Sequence, residues 1–137
     1  ITRALIRCDG KYLLLKRAKD PIPSNVGKWE CSGGRIENET PSENVIREVF
    51  EETGLKCKIV KELPFLSAKT SEIYSECNCF LLEADSSDVQ LSEEHSEFKW
   101  VDASEVKNMN LVMFASLLID NNLYAYKFLT QYFYFII

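Results

Sequence analysis

Apolar and polar positions change their period several times along the chain, and each change marks an element. Thr2 to Cys8 and Tyr12 to Lys16 are apolar-rich runs joined by Cys8-Asp9-Gly10-Lys11, an Asp-Gly turn that predicts a hairpin. Pro21, Pro23, Ser24 and Gly27 then break the pattern, which predicts a surface loop from Arg17 to Lys28. Trp29 to Ser32 reads as a short strand that leads into Gly33 and Gly34. Thr40 before Pro41, with Glu43 three residues on, is a capping box with proline at the first helical position. Gly54 supplies the stop, so a helix is predicted from about Pro41 to Thr53.

Downstream, Lys56 to Leu63 alternates, Leu66 to Lys69 continues it beyond Pro64, and Tyr74 to Ala84 is the clearest strand. Asp85 to Leu91 is a polar loop, and Ser92 to Val101 reads as a loop running into a strand. Asp102-Ala103-Ser104-Glu105 is a capped segment expected to open a helix, and Leu111 to Ile119 is a second, apolar helical piece. Strands on both sides of one helix, with helices at the end, predict an α+β fold.

The predicted 41–53 helix is unusual. Stepping by about 100° per residue, Val45, Ile46, Val49, Phe50 and Thr53 form an apolar arc, and Glu48, Glu51 and Glu52 form an acidic one. Like charges three and four residues apart repel, and they crowd the carbonyl end, where the macrodipole favours cations. A hard divalent cation such as Mg²⁺ would remove both objections. A solvated acidic face is the other reading, since charge runs are usually that.

Composition narrows the choice of partner. At 137 residues, 46% hydrophobic and 27% charged, the chain fits one soluble globular domain. A net charge of −5 with no basic cluster argues against a nucleic-acid groove, while single nucleotides bound through metal ions stay possible. Five scattered cysteines read as reduced thiols of a cytoplasmic protein, and a zinc clip at Cys77-x-Cys79 lacks a second pair of ligands. The chain opens without methionine or a signal-peptide pattern, so residues missing upstream are expected. Leu111 to Leu118 gives way to Asp120-Asn121-Asn122, and Tyr124 to Ile137 is too short and carries Lys127 and Gln131, so no membrane span is expected.

The wider spacing decides between the two readings of the acidic face. Gly33, five residues, Glu39, seven residues, then Arg47-Glu48-Val49-x-Glu51-Glu52-x-Gly54-Leu55 resembles the signature of the Nudix hydrolases, with every fixed position filled. Gly33, the first of the glycine pair, fills the motif position that the second usually fills in MutT-like members, so the loop from Gly34 to Glu39 is one residue short. The resemblance implies a single domain over 1–137 with its box at 33–55 and a mixed sheet sandwiched between helices (α/β/α). It implies Mg²⁺, with Mn²⁺ as an alternative, held by Glu48, Glu51 and Glu52, the last two as principal ligands. Arg47 would orient a glutamate, Glu39 would support the site from the loop, and Gly33 and Gly34 would allow close approach of substrate. Arg17 and Lys28 are the candidate phosphate contacts, with a solvated surface as the alternative. Among the late-loop acids Glu94 is the first candidate for metal binding or general base and Glu97 the second, unless the loop is merely acidic.

The implied reaction is hydrolysis of the pyrophosphate bond of a nucleoside diphosphate linked to another group. Gly27-Lys28-Trp29-Glu30 before a Gly-Gly-basic-Ile-Glu run resembles MutT-type nucleoside triphosphate pyrophosphohydrolases, which implies a nucleoside triphosphate. ADP-ribose or a nucleotide sugar is the alternative, although Thr70 stands where ADP-ribose enzymes tend to carry proline. Tyr74 is a loose match to the tyrosine of dinucleoside polyphosphate enzymes. A non-catalytic nucleotide-binding or regulatory domain is a further alternative, but such domains commonly lose box glutamates and this chain keeps them. The expected partner is a nucleotide-type small molecule, in a monomer or homodimer. His95 reads as a surface residue, and Trp29 and Trp100 as core rather than as a platform for a nucleobase. The aromatic stretch from Tyr124 to Phe135 either completes the core or pairs subunits.

Overall fold

A computed structural model describes residues 1–69, 71 and 74–123. Thr70 and the aromatic stretch from Tyr124 onward lie outside the described residues. Strand β1 (Thr2–Cys8) turns back into β2 (Lys11–Arg17) through Asp9 and Gly10, both with positive φ, at 51° and 76°. Positive φ at both central residues is the hairpin geometry that an Asp-Gly pair favours.

A 3₁₀ turn at Pro23–Asn25 interrupts the following loop, and β3 (Trp29–Glu30) is shorter than expected. Helix α1 (Pro41–Thr53) starts where the Thr40 hydroxyl accepts the Glu43 N–H at 3.2 Å and ends at Gly54 with φ 73°. Beyond it come β4 (Cys57–Lys69), β5 (Tyr74–Ala84) and β6 (His95–Val101). β4 runs through Pro64 as one strand, with its register to β5 slipping between Leu63 and Leu66.

The sheet is mixed, in the order β3-β2-β1-β5-β4, with β6 also pairing to β2. β1 and β5 run parallel and the remaining pairs antiparallel. Period-two alternation divides the apolar residues between two cores. Ala4, Ile6, Leu13, Leu15, Phe80 and Leu82 face α1, packing with Val45 and Val49. Leu5, Leu14, Cys77 and Cys79 face the other way, onto Leu118 and Ile119 of helix α2 (Met113–Leu123). The fold is therefore α+β, a mixed sheet between helices. Both tryptophans are half-buried, Trp29 against the second core and Trp100 against the first, in line with a packing role.

Three local expectations fail for identifiable reasons. Phe50 is 52% exposed, because the apolar stripe that reaches the sheet is the narrow set Val45, Val49 and Thr53. Glu52 is 4% exposed; by helical geometry it lies only about 20° from Val45, between that residue and Glu48. The segment after β6 makes a 3₁₀ turn at Glu105–Asn108 instead of a longer helix. There Asn110 accepts the Trp29 N–H at 2.8 Å and Val112 donates to the Trp29 carbonyl at 2.9 Å, so the chain first extends the β3 edge and α2 starts at Met113. α2 continues through Asn121 and Asn122, whose side chains donate to the Leu117 and Leu118 carbonyls.

All five cysteines are free; Cys31, Cys77 and Cys79 are buried, while Cys8 and Cys57 are half-buried. Among the described residues no helix is long and apolar enough to cross a membrane.

Candidate active site

The loop between β3 and α1 is clamped from both sides. Thr2 donates its N–H to the Gly34 carbonyl at 2.8 Å, and Ala4 donates to the Ser32 carbonyl at 2.8 Å. Asn44, buried on α1, accepts the Thr2 hydroxyl and donates to the Arg35 carbonyl and to Glu39 Oε1, both at 2.8 Å. At Gly33 φ is 155°, and a side chain there would overlap the Thr2 carbonyl. The backbone can pass this close to β1 only because that residue is glycine.

Two carboxylates of α1 lie against this loop. Glu52 Oε1 accepts the Ser32 hydroxyl at 2.7 Å and the Gly33 N–H at 3.0 Å. Burial pushes the Glu52 carboxyl up to about 7, against the opposing pull of those hydrogen bonds and of His95. Glu48 is half-buried, and its carboxylate sits so close to Gly34 that a methyl group there would overlap it. Burial raises its pKa too, with Glu51 and Glu94 adding to the effect and Arg47 opposing it.

Glu51 is placed differently: it is exposed, and Arg47 Nη1 donates to both of its oxygens, at 3.1 and 3.2 Å. Arg47 also grips Glu39 with two donors, at 2.9 and 2.6 Å, and stands 3.3 Å from Glu48. A planar guanidinium suits such a fork. The Arg47 and Asn44 hydrogen bonds hold the Glu39 carboxyl at about 2, and the acids around Arg47 raise its own pKa.

The remaining candidates scatter around this centre. Glu94 is exposed and lines a cleft of about 330 Å³ with Arg17, Glu30 and His95. Glu97 pairs with Lys16 at 3.4 Å on β6, away from the glutamate helix. Arg17 is engaged by acids, donating to Glu30 Oε1 at 2.6 Å and pairing with Asp20. Lys28 lines neither this cleft nor the one beside Arg3 and Phe114, and its backbone bonds to Asn25 and Arg17.

His95 is a correction. It is 5% exposed rather than on the surface, with Nε2 2.6 Å from Glu30 Oε2 and Nδ1 3.8 Å from Glu52 Oε2. It opens β6 opposite Arg17, and both side chains reach Glu30. Its partner Glu30, 3% exposed, has no role in the motif, and the available signal was a lone acid between Trp29 and Cys31. Burial works to raise the Glu30 pKa, but the His95 hydrogen bond and the Arg3 and Arg17 charges outweigh it and the net shift is downward. On the far side of Glu30, Arg3, Arg17, Ile22, Met113 and Phe114 help to line a second cleft of about 460 Å³.

This donor set fits a divalent ion. Two carboxylates are desolvated beside each other on one helix, and among the described residues the ligand atoms of Glu30, Glu52 and His95 all lie within 4.8 Å of one another.

Comparison with known proteins agrees. The family model described as the NUDIX domain matches residues 2–120. The nucleoside triphosphatase NudI of Klebsiella pneumoniae (strain 342) is 31% identical over 121 residues, covering 78% of this chain and 84% of the relative. A MutT-like protein of Streptomyces ambofaciens is 28% identical over 121 residues, covering 88% of this chain and 73% of the relative. The crystal structure of the MutT protein from Methanosarcina mazei Go1 superposes with a TM-score of 0.71 at 28% identity, covering 88% of each chain. The chain belongs to the Nudix family, as a MutT-like hydrolase of phosphoric anhydride bonds.

Proposed function

We propose that the protein is a nucleoside triphosphate pyrophosphohydrolase dependent on Mg²⁺, with Mn²⁺ able to substitute. The observation that carries this reading is the placement of Glu48 and Glu52 against one glycine loop, Glu52 by a bond to the Gly33 N–H and Glu48 by close packing on Gly34. Glu48, Glu51 and Glu52 are the residues to hold the ion, which when bound supplies charge neutralisation for the phosphate oxygens and a more acidic water.

The chain's own groups divide the remaining work. Ser32 and Gly33 fix one oxygen of Glu52 and leave the other turned inward. Arg47 positions Glu51 and Glu48 while its fork on Glu39 holds the loop. Glu94, exposed across the neighbouring cleft, is the candidate base for the attacking water. Gly33 and Gly34 seat the loop against Thr2 and Glu48 rather than opening its backbone to phosphates, and of the two candidate cations Arg17 lines both clefts while Lys28 lines neither. The cleft of about 460 Å³ beside Arg3 and Phe114 has the size of a nucleoside pocket. The similarity to NudI supports a triphosphate over ADP-ribose or a nucleotide sugar. Five free thiols suit a cytoplasmic enzyme.

The test is product analysis with Mg²⁺ across nucleoside triphosphates, ADP-ribose, nucleotide sugars and dinucleoside polyphosphates, with Glu52→Gln in parallel. Release of nucleoside monophosphate and pyrophosphate from triphosphates, lost in the variant, is the expected result. A preference for ADP-ribose would replace the substrate, and nucleotide binding without turnover would make the protein a sensor.

A further inference from the structure

His95 Nδ1 is the one buried side-chain nitrogen or oxygen without a hydrogen-bond partner among the described residues. The ring is almost fully buried, and this nitrogen faces Glu52 Oε2 at 3.8 Å. The opposite ring nitrogen lies 2.6 Å from Glu30 Oε2, and Arg17 at 2.6 Å and Arg3 at 3.7 Å keep that carboxylate ionised. An ionised carboxylate can only accept, so the ring proton stands on Nε2. Nδ1 is left facing Glu52 Oε2 across 3.8 Å, beyond hydrogen-bond reach. His95, with its unpartnered nitrogen, Glu52 and Glu30 each offer a ligand atom within 4.8 Å of the others, a spacing that suits a bound cation.

The same arrangement is how proteins present histidine to a metal. One ring N–H is held by a carboxylate, which fixes the tautomer and raises the basicity of the other nitrogen. Glu52 matches it from the other side: Oε1 is saturated by the Ser32 hydroxyl and the Gly33 N–H, leaving Oε2 as the free ligand, and Oε2 is the oxygen that faces His95. A gap of 3.8 Å is bridged at an open angle by two metal–ligand bonds of about 2.0–2.2 Å.

We propose that His95 Nδ1 and Glu52 Oε2 together ligate one divalent ion, with Glu30 as the outer partner of the histidine, and that this nitrogen ligand makes the site bind a first-row transition ion more tightly than the Mg²⁺ it also accepts. Imidazole suits such ions, whereas Mg²⁺ takes oxygen. The inference rests on the proposed role of Glu52 as a metal ligand but not on any activity, so it is tested without substrate.

The experiment loads the full-length, metal-stripped protein with one equivalent of Mn²⁺ and records pulsed electron paramagnetic resonance for nitrogen-14 coupling. Co²⁺ is titrated in parallel, with and without excess Mg²⁺. The expected result is a directly coordinated nitrogen in the native protein, Co²⁺ that excess Mg²⁺ does not displace, loss of the nitrogen signal in His95→Gln, and Co²⁺ affinity lower by at least about tenfold in that variant. Glu30→Gln is expected to keep the nitrogen signal and weaken Co²⁺ binding. Bound Mn²⁺ with no coordinated nitrogen in the native protein overturns the proposal whatever the variants do, as does Co²⁺ binding unchanged in a folded His95→Gln. If the nitrogen signal is present and no substrate turns over, the proposed hydrolysis fails and the metal site stands.

Discussion

Gly33 donates its backbone N–H to Glu52 Oε1 at 3.0 Å, joining the first residue of the signature to its last glutamate across 19 residues of sequence. The bond makes loop and helix one unit. Glycine is required on the loop side because the Thr2 carbonyl occupies the space of a side chain.

The two glycines should therefore fail differently. Gly33→Ala meets fixed backbone at a positive φ and is expected to cost about 1–3 kcal/mol, read as a fall of several degrees in Tm. Gly34→Ala meets only the end of the Glu48 side chain, so it should keep its Tm while Glu48 is displaced and metal affinity falls. Thermal melts with metal titrations separate the two.

Glu52→Gln should separate stability from activity. Burial raises the Glu52 carboxyl to about 7, above its ordinary 4.5, so the fold disfavours the charged form. In chelator, the native protein should gain stability as pH falls from about 7 to 4.5, by on the order of 1–3 kcal/mol. Glu52→Gln should flatten that segment and raise Tm at pH 7, since its amide oxygen can still accept from Ser32 and Gly33, while turnover is lost. A lower Tm at pH 7 in chelator would show that the charge stabilises the fold.

Arg47→Lys keeps a charge and loses the fork that holds Glu39 and Glu51. Turnover is expected to fall about 10- to 100-fold with a small change in Tm. Steady-state kinetics beside a melt test this, and unchanged turnover would remove Arg47 from the positioning role.

Acid should unlock the loop before it unfolds the core. The Arg47 and Asn44 bonds lower the Glu39 carboxyl to about 2 from its ordinary 4.5. A lowered acid contributes stability that is complete above the unfolded value, so this contribution is present above pH 4.5 and lost as pH falls toward 2. Melts of Glu39→Gln and the native protein should converge across that window and differ above it.

Much of the architecture is legible in local patterns. The Asp9-Gly10 turn, the Thr40 cap, the Gly54 stop and the alternation of β1, β2 and β5 are each set by a few neighbouring residues acting through backbone conformation. Arg47, Glu48, Glu51 and Glu52 are legible through their spacing on one helix. Arcs drawn on a helical wheel proved less secure at their edges. Helical periodicity puts Phe50 on the apolar arc and Glu52 on the acidic one, yet each lies near a boundary whose position depends on how α1 is rolled against the sheet.

By itself, then, the sequence determined the elements and the acid helix, because capping, turn chemistry and helical periodicity act over a few residues. Only the tertiary structure decided which glutamate is buried and what meets it. Glu30 comes from β3, His95 from the start of β6, Arg3 from β1 and Glu52 from α1. Their meeting depends on the pairing of β2 with both β3 and β6 and on the crossing of α1 over β1. Residues 65 positions apart carry no local signal of contact. Charge and proton positions in that buried cluster are set by whichever groups the fold brings within hydrogen-bonding distance.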